Sequence, residues 1–187
     1  MRRLVPMLMV ALAACADSPV APGGQTADFA RIKDAEDSHG GTPFMAVMTP
    51  QQEVTTAGGD PNPAATGTTV LTLNSGQEEI CFKTTFSGLS APVSDAHIHA
   101  APAGAGGDIV VRFAGPVYEA FPRVTSGTVA RCVFAPRELI KAIRKNPENY
   151  YVNIHTRSAP PNPLLDRPAG AIRGQMFKTQ GSNVNHF

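Results

Sequence analysis

Two histidines separated by a single residue, in the stretch Asp95-Ala96-His97-Ile98-His99, are the clearest candidates for chemistry in this chain. Alternate side chains of a β-strand share one face of the sheet. On a strand, His97 and His99 would therefore project together, about 6.5–7 Å apart, while Ile98 points to the opposite, apolar side. This geometry lets two imidazole rings converge on one ion.

A third histidine, His155, stands in the alternating segment Tyr151-Val152-Asn153-Ile154-His155-Thr156. Neutral imidazole is a good ligand for copper, zinc or nickel, and divalent copper binds most tightly in the usual affinity order. We therefore predict that the three imidazoles cluster on one exposed or cleft-lining sheet face and hold a divalent copper ion. In the alternative interpretation, the rings pack over a sheet and hydrogen-bond to loop carbonyls, since His-x-His is a short pattern with many accidental matches.

Short apolar runs between frequent Gly and Pro residues predict that strands position these histidines. The predicted strands cover residues 44–49, 66–74, 79–87, 93–100, 108–113, 124–134, 150–156 and 171–178. One short helix is predicted over residues 136–145, because Leu139 and Ile143 lie four apart and Asn146-Pro147 is a stop signal. The expected fold is all-β, a Greek-key β-sandwich of about eight strands.

The chain begins with an export signal that ends at a cysteine. Arg2 and Arg3 precede a short apolar run, which leads into Leu12-Ala13-Ala14-Cys15. The run is too short to span a bilayer core of about 30 Å. We therefore predict a bacterial lipoprotein signal peptide, with lipid on Cys15 as an anchor in the cell envelope, periplasmic or at the cell surface. The alternative is an ordinary signal peptide with an incidental cysteine.

Composition predicts how the rest of the chain is organised. The predicted segments are the signal peptide at 1–14, a flexible tether at 15–42, a β domain at 43–178 and a flexible tail at 179–187.

The chain has 16 Lys and Arg against 15 Asp and Glu. Because no basic stripe is present, nucleic acid is excluded as a partner, and the lipid is the expected membrane contact.

Cys81 and Cys132 remain as a pair if Cys15 carries lipid. In an oxidising compartment, a disulfide between them is the economical interpretation, and it would stabilise the fold by about 4 kcal/mol. Two buried free thiols are the alternative, because strand pairing cannot be read from the sequence. A pair of cysteine metal ligands is a further alternative, ranked below both.

An ordered series of motifs resembles the chordin-type (CHRD) domain family over about residues 44–177. The motifs are Gln52-Glu53-Val54, Gly88-Leu89-Ser90, Ala96-His97-Ile98-His99, Pro102-Ala103-Gly104, Tyr151-Val152-Asn153-Ile154-His155-Thr156 and Gly170-Ala171-Ile172-Arg173-Gly174-Gln175. The family includes repeats in the animal regulator chordin and many bacterial secreted or lipid-anchored proteins. The resemblance therefore implies an extracellular β domain rather than a reaction. Ala100 and Ala171 depart from the usual pattern, which has a glycine and an acidic residue there.

The chain also resembles copper/zinc superoxide dismutase in the order of a His-x-His strand, a later histidine strand and a glycine turn before an arginine. This resemblance implies copper ligands at His97, His99 and His155 and an anion-attracting role for Arg173. No histidine between His99 and His155 matches a metal-bridging ligand, and no His/Asp cluster supplies a zinc site. In the alternative interpretation, Arg173 pairs with a surface carboxylate.

Two functions from different classes follow from these observations. The chain has no G-x-S-x-G motif and no reactive cysteine outside the expected pair, so hydrolase chemistry is unsupported. The first function is a lipid-anchored, non-catalytic binding or interaction module with a protein or small-ligand partner. The second is a copper-binding protein for sequestration, delivery or superoxide chemistry. The first is preferred from the sequence, because no complete catalytic set is visible.

Overall fold

A computed structural model of the chain describes residues 43–54, 58–114 and 121–179. These residues form the strands β1 (Phe44–Met48), β2 (Thr66–Asn74), β3 (Glu79–Ser87), β4 (Val93–Ala100), β5 (Asp108–Arg112), β6 (Gly127–Phe134), β7 (Tyr150–Thr156) and β8 (Arg167–Lys178), and the helix α1 (Arg137–Lys145). The predicted all-β class with one short helix is confirmed. The predicted signal peptide, the lipidated Cys15, the tether and all but Thr179 of the predicted tail lie outside the described residues.

The eight strands form one curled antiparallel sheet in the order β5-β4-β7-β8-β1-β2-β3-β6. Strand β8 joins two halves of this sheet, because it pairs with β7 over much of its length and with β1 near its end. One half of the sheet contains β4 and β7, and the other half contains β2 and β3. The chain crosses from one half to the other three times: after β3, after β5 and after β6. These crossings give the Greek-key order that the sequence predicts.

Alternating apolar residues fill the space inside the curl. Phe82 and Phe86 of β3, Ile98 of β4 and Ile154 of β7 are at most 2% exposed. Phe82 also stacks on Phe113, with ring centroids 4.0 Å apart. Because side chains alternate across a strand, the residues between these apolar positions face outward. The histidine positions of β4 and β7 are among them.

The predicted disulfide between Cys81 and Cys132 is confirmed. The two cysteines are directly paired in the register of β3 and β6, with Cα atoms 3.9 Å apart. They face outward with Ala130, away from the main core. The bond joins residues 51 apart in sequence, a loop length for which the chain-entropy model gives about 4 kcal/mol of stabilisation.

Four strand boundaries differ from those predicted: β1 and β5 each end one residue earlier, and β6 and β8 begin at other residues. Strand β8 begins at Arg167 rather than at residue 171, because Thr156 of β7 pairs with Arg167 beyond a β-bulge. Pro168 and Gly170 signal a loop in the sequence, yet near the end of a bulged pair they fit a strand. Strand β6 begins at Gly127 rather than at residue 124. Within the described ranges, no helix is long and apolar enough to cross a bilayer.

Candidate metal centre

The outer face of β4 and β7 carries the predicted site residues. In the antiparallel register, Asp95 pairs with His155, His97 with Asn153, and His99 with Tyr151. The intervening positions, such as Ile98, face the core. The period-two alternation of the two strands thus puts every histidine of the described residues on one face.

The rings of His97, His99 and His155 come together on this face. One ring nitrogen from each lies within 4.8 Å of those of the other two. The closest approach is 3.1 Å, between His97 Nδ1 and His155 Nε2. Metal–nitrogen bonds of about 2.0–2.1 Å require donor atoms about 3–4 Å apart. Small ring movements therefore suffice to surround one ion.

The other nitrogen of two of these rings is held by a backbone carbonyl. His155 Nδ1 lies 2.9 Å from the Pro168 oxygen, and His99 Nδ1 lies 2.9 Å from the Gly107 oxygen. A carbonyl only accepts hydrogen bonds, so each Nδ1 carries the proton and donates. Each Nε2 is then left with a lone pair, as a metal ligand requires.

The third ring, His97, has two possible partners for its Nε2 atom. Asp95 Oδ2 lies 2.8 Å away and Arg112 Nη1 lies 3.0 Å away. When Nε2 donates to Asp95, Nδ1 holds a lone pair that faces the lone pair of His155 Nε2. A cation between the two nitrogens relieves this repulsion. When Nε2 accepts from Arg112 instead, Nδ1 carries the proton and donates it to His155.

The charge at Asp95 favours the first of these arrangements. Burial alone would raise the pKa of Asp95, but hydrogen bonds from His97 and the Ala96 N–H, together with the charge of Arg112, hold the pKa below its usual range. Asp95 is therefore an ionised acceptor for the Nε2 proton of His97. A carboxylate behind a metal-binding imidazole fixes its tautomer and raises its basicity.

The site is buried, whereas the sequence predicts an exposed or cleft-lining face. His97, His99 and His155 are 4%, 8% and 9% exposed. Burial lowers the pKa of His155 to about 4 and also lowers the pKa of His99. Both rings are thus neutral at pH 7, the protonation state in which imidazole binds a metal ion.

Residues 101–107 form a loop that covers part of this outer face, held down by side chains of β8. Arg173 donates to the carbonyls of Pro102 and Ala105 at 2.9 and 2.8 Å, and Gln175 donates to the Ala101 carbonyl at 2.7 Å. Arg173 is only 1% exposed. Its hydrogen-bond partners in the described residues are carbonyls and the Gln175 amide rather than a surface carboxylate. Its anion-attracting role stays a prediction.

Tyr151 links Arg173 to the histidine cluster. Its ring stacks on His99, with centroids 4.8 Å apart and an interplanar angle of 6°. The Arg173 guanidinium lies 3.5 Å from the centroid of the Tyr151 ring. The stack fixes the plane of His99 between Tyr151 and the carbonyl of Gly107.

A second covering segment brings Glu53 onto the same face, beside β8. Asn153 Nδ2 donates to Glu53 Oε1 at 2.8 Å. The carboxyl also lies against Gly170, where a Cβ atom would come within 2.6 Å of Glu53 Oε2. Burial raises the pKa of Glu53 to about 7, although the charge of Arg173 and the Asn153 hydrogen bond lower it.

Sequence reasoning assigned no role to Asp95, Tyr151, Asn153 or Glu53. The alternation of side chains along a strand could have identified the first three. Asp95 and Asn153 each stand two residues from a predicted ligand, and Tyr151 stands two residues from Asn153. Glu53 has no such signal from strand alternation, since it meets Asn153 across 100 residues of sequence; its signal is its place in the Gln52-Glu53-Val54 motif of the family resemblance.

The fold and the site together define a disulfide-bonded β domain with a covered cluster of histidines on its outer face. The model of the CHRD domain family matches residues 44–176. Because this match covers more than half of the sequence, the chain belongs to the CHRD domain family. Membership indicates an extracellular binding or interaction domain. No curated protein and no solved structure matches the chain.

Proposed function

We propose that this protein is a lipid-anchored, extracytoplasmic domain that binds divalent copper through His97 Nδ1, His99 Nε2 and His155 Nε2. One observation carries the proposal: three ring nitrogens lie within 4.8 Å of one another on a single buried face. Of the two functions considered from the sequence, this geometry favours copper binding. Family membership in an extracellular class is consistent with it.

The residues around the three rings fit a resident metal ion. Hydrogen bonds to carbonyls keep the ring protons of His99 and His155 on Nδ1, away from the cluster. Asp95 can accept the hydrogen bond of a proton on His97 Nε2. Three neutral imidazoles suit copper, zinc and nickel, and copper binds most tightly of these. Bound there, the ion would replace the repulsion between two facing lone pairs with two metal–nitrogen bonds.

The lipid anchor is supported by the sequence Leu12-Ala13-Ala14-Cys15 after a basic and apolar start. An anchored domain with a buried copper site would retain the metal at the cell envelope. Sequestration or delivery of copper requires only binding and release. A non-catalytic module with a protein partner is the second candidate, favoured by family membership.

Calorimetric titration of the mature protein with divalent copper tests the proposed site. We expect one ion per chain, and we expect His155→Ala to weaken binding at least 100-fold because one of three ligands is lost. The control is the double variant His39→Ala, His186→Ala, which removes the two histidines that lie outside the described residues. It should bind copper as the parent does.

Because His155 is buried, the folded fraction of each variant is measured by circular dichroism before titration, with His155→Gln as a variant closer in volume. Nitrogen superhyperfine structure in the copper electron paramagnetic resonance spectrum gives a second measurement on the parent protein. Equal copper affinity for the parent and both folded His155 variants would refute the three-histidine site and leave the interaction module as the function.

A further inference from the structure

Two buried polar atoms beside the histidine cluster have no hydrogen-bond partner in the described structure. They are His99 Nε2 and Asn153 Oδ1, on side chains that are 8% and 2% exposed. Leaving a buried donor or acceptor unsatisfied costs about 1–3 kcal/mol. The proposed copper ion accounts for His99 Nε2, but Asn153 Oδ1 requires a hydrogen-bond donor.

The register places Asn153 next to the proposed ion. Asn153 is the direct cross-strand partner of His97, and it stands two residues from His155 on the same face of β7. Directly opposed Cβ atoms in an antiparallel pair are about 4.5–5.5 Å apart. The Asn153 amide is therefore a neighbour of two of the three proposed ligands.

Glu53 determines which end of this amide is left without a hydrogen-bond partner. It accepts the Asn153 Nδ2 hydrogen bond while its carboxyl lies against Gly170 of β8. The amide nitrogen is thus taken by Glu53, and the amide oxygen is left without a partner beside the cross-strand neighbour His97.

Three protein nitrogens leave a coordination position open on a metal ion, as in three-ligand catalytic sites. We infer that the copper site holds a fourth, exogenous ligand, which is a water molecule in the resting protein. This ligand carries a hydrogen-bond donor, and Asn153 Oδ1 accepts its hydrogen bond. This inference rests on the proposed copper site. It makes Asn153 a positioning residue for a small ligand, and Glu53 the residue that orients Asn153.

Electron paramagnetic resonance of the copper-loaded mature protein in water enriched in oxygen-17 tests this inference. A coordinated water broadens the copper lines through the oxygen-17 nucleus, so the parent spectrum should broaden relative to that in ordinary water. We expect Asn153→Leu, which keeps the volume but loses the acceptor, to lose most of the broadening while its copper affinity falls less than tenfold. Asn153→Asp, which keeps an acceptor, should retain the broadening.

The outcomes separate this inference from the copper site itself. If the parent binds copper through nitrogen ligands and shows no oxygen-17 broadening, the open position is refuted. If Asn153→Leu folds and broadens as the parent does, the role of Asn153 is refuted. A loss of copper affinity of 100-fold or more in this variant would make the amide oxygen a direct ligand, against the inference. If the parent binds no copper, the proposed function fails first.

Discussion

The proton position on His97 decides what the cluster can bind. With the proton on Nδ1, His97 donates to His155 at 3.1 Å, and Arg112 can donate to Nε2 at 3.0 Å. With the proton on Nε2, Asp95 accepts it at 2.8 Å and Nδ1 becomes available to a metal ion. Copper would select the second arrangement, and Arg112 would then retain only its longer contact with Asp95.

Glu53 gives the copper-free protein a pH dependence that can be measured. The pKa of this carboxyl is about 7 in the folded protein against 4.5 as its ordinary value. Between these pH values the folded state binds more protons than the unfolded state. The contribution of Glu53 to the free energy of unfolding is thus fully present below pH 4.5 and is lost as the pH rises through 7.

We expect Glu53→Gln to gain stability relative to the parent as the pH rises from 4.5 to 7.5, because it has no carboxyl to ionise. One pKa unit corresponds to about 1.36 kcal/mol, and solvent screening reduces the effect, so the gain should be about 1–3 kcal/mol. Urea unfolding at several pH values measures it. Glu138→Gln, on the surface of α1, is the matched control, and a stability difference for Glu53→Gln that does not change with pH would contradict the prediction.

Among the elements, β8 connects the two halves of the sheet. It pairs with β7 beside the site and with β1 beyond it. Gly174 sits where β1 crosses close to β8, and a Cβ there would lie 2.6 Å from the Val47 carbonyl carbon. The same strand carries Arg173 and Gln175, which hold the covering loop. Gly174 therefore lies between the two residues that hold the loop, at the point where β8 packs closely on β1.

We expect Gly174→Ala to lower the free energy of unfolding by about 2–3 kcal/mol, because the added methyl group meets backbone that cannot move without breaking the β1–β8 contact. Urea unfolding checks this value. Gly106→Ala is the control, since the nearest atom to a Cβ at Gly106 is 4.0 Å away. Its stability should stay within about 0.5 kcal/mol of the parent, and an equal loss in both variants would show that glycine flexibility, not space, is responsible.

The strands were largely predictable because local alternation of apolar and polar residues is what builds them. Strands β2, β3, β4 and β7 begin and end where the sequence predicts. The start of β8 was not predictable, since Pro168 and Gly170 suit a strand only after the bulge in its pairing with β7 is known. Bulges depend on tertiary pairing, which a single sequence does not encode locally.

The clustering of the three histidines could be predicted from the sequence, whereas the surroundings of the cluster could not. The period-two alternation of side chains along β4 and β7 brings His97, His99 and His155 to one face. The family resemblance supplies the order of these strands. Burial of the rings comes from loops that fold back over the sheet, through contacts such as Arg173 with Pro102, 71 residues apart. Such long-range contacts have no periodic signature in the sequence.

At the scale of the whole molecule, the disulfide and the histidine cluster lie in different halves of the curled sheet. The disulfide joins β3 and β6, whereas the histidines belong to β4 and β7. The proposed anchor at Cys15 is a third independent feature, separated from the first described residue, Pro43, by the predicted tether. Anchoring and copper binding should therefore be separable by mutation.

We expect Cys15→Ser to move the protein from the membrane fraction to the soluble extracytoplasmic fraction, because the thiol that takes the lipid is lost. Its copper affinity should equal that of the parent. Cell fractionation with immunoblotting measures the first effect, and mass spectrometry of the N-terminal peptide detects the lipid. Recovery of the variant in the membrane fraction, or an unmodified Cys15 in the parent, would contradict the anchor.

The alternation along β4 and β7 also limits how this domain can diverge between lineages. Core positions such as Ile98 and Ile154 are interleaved with site positions such as His97 and His155. Inserting or deleting one residue in either strand would exchange the two sets, turning the imidazoles into the apolar core and the isoleucines onto the outer face. Descendants can therefore acquire a new ligand specificity by replacing outward residues one at a time, while the lengths of these two strands stay fixed.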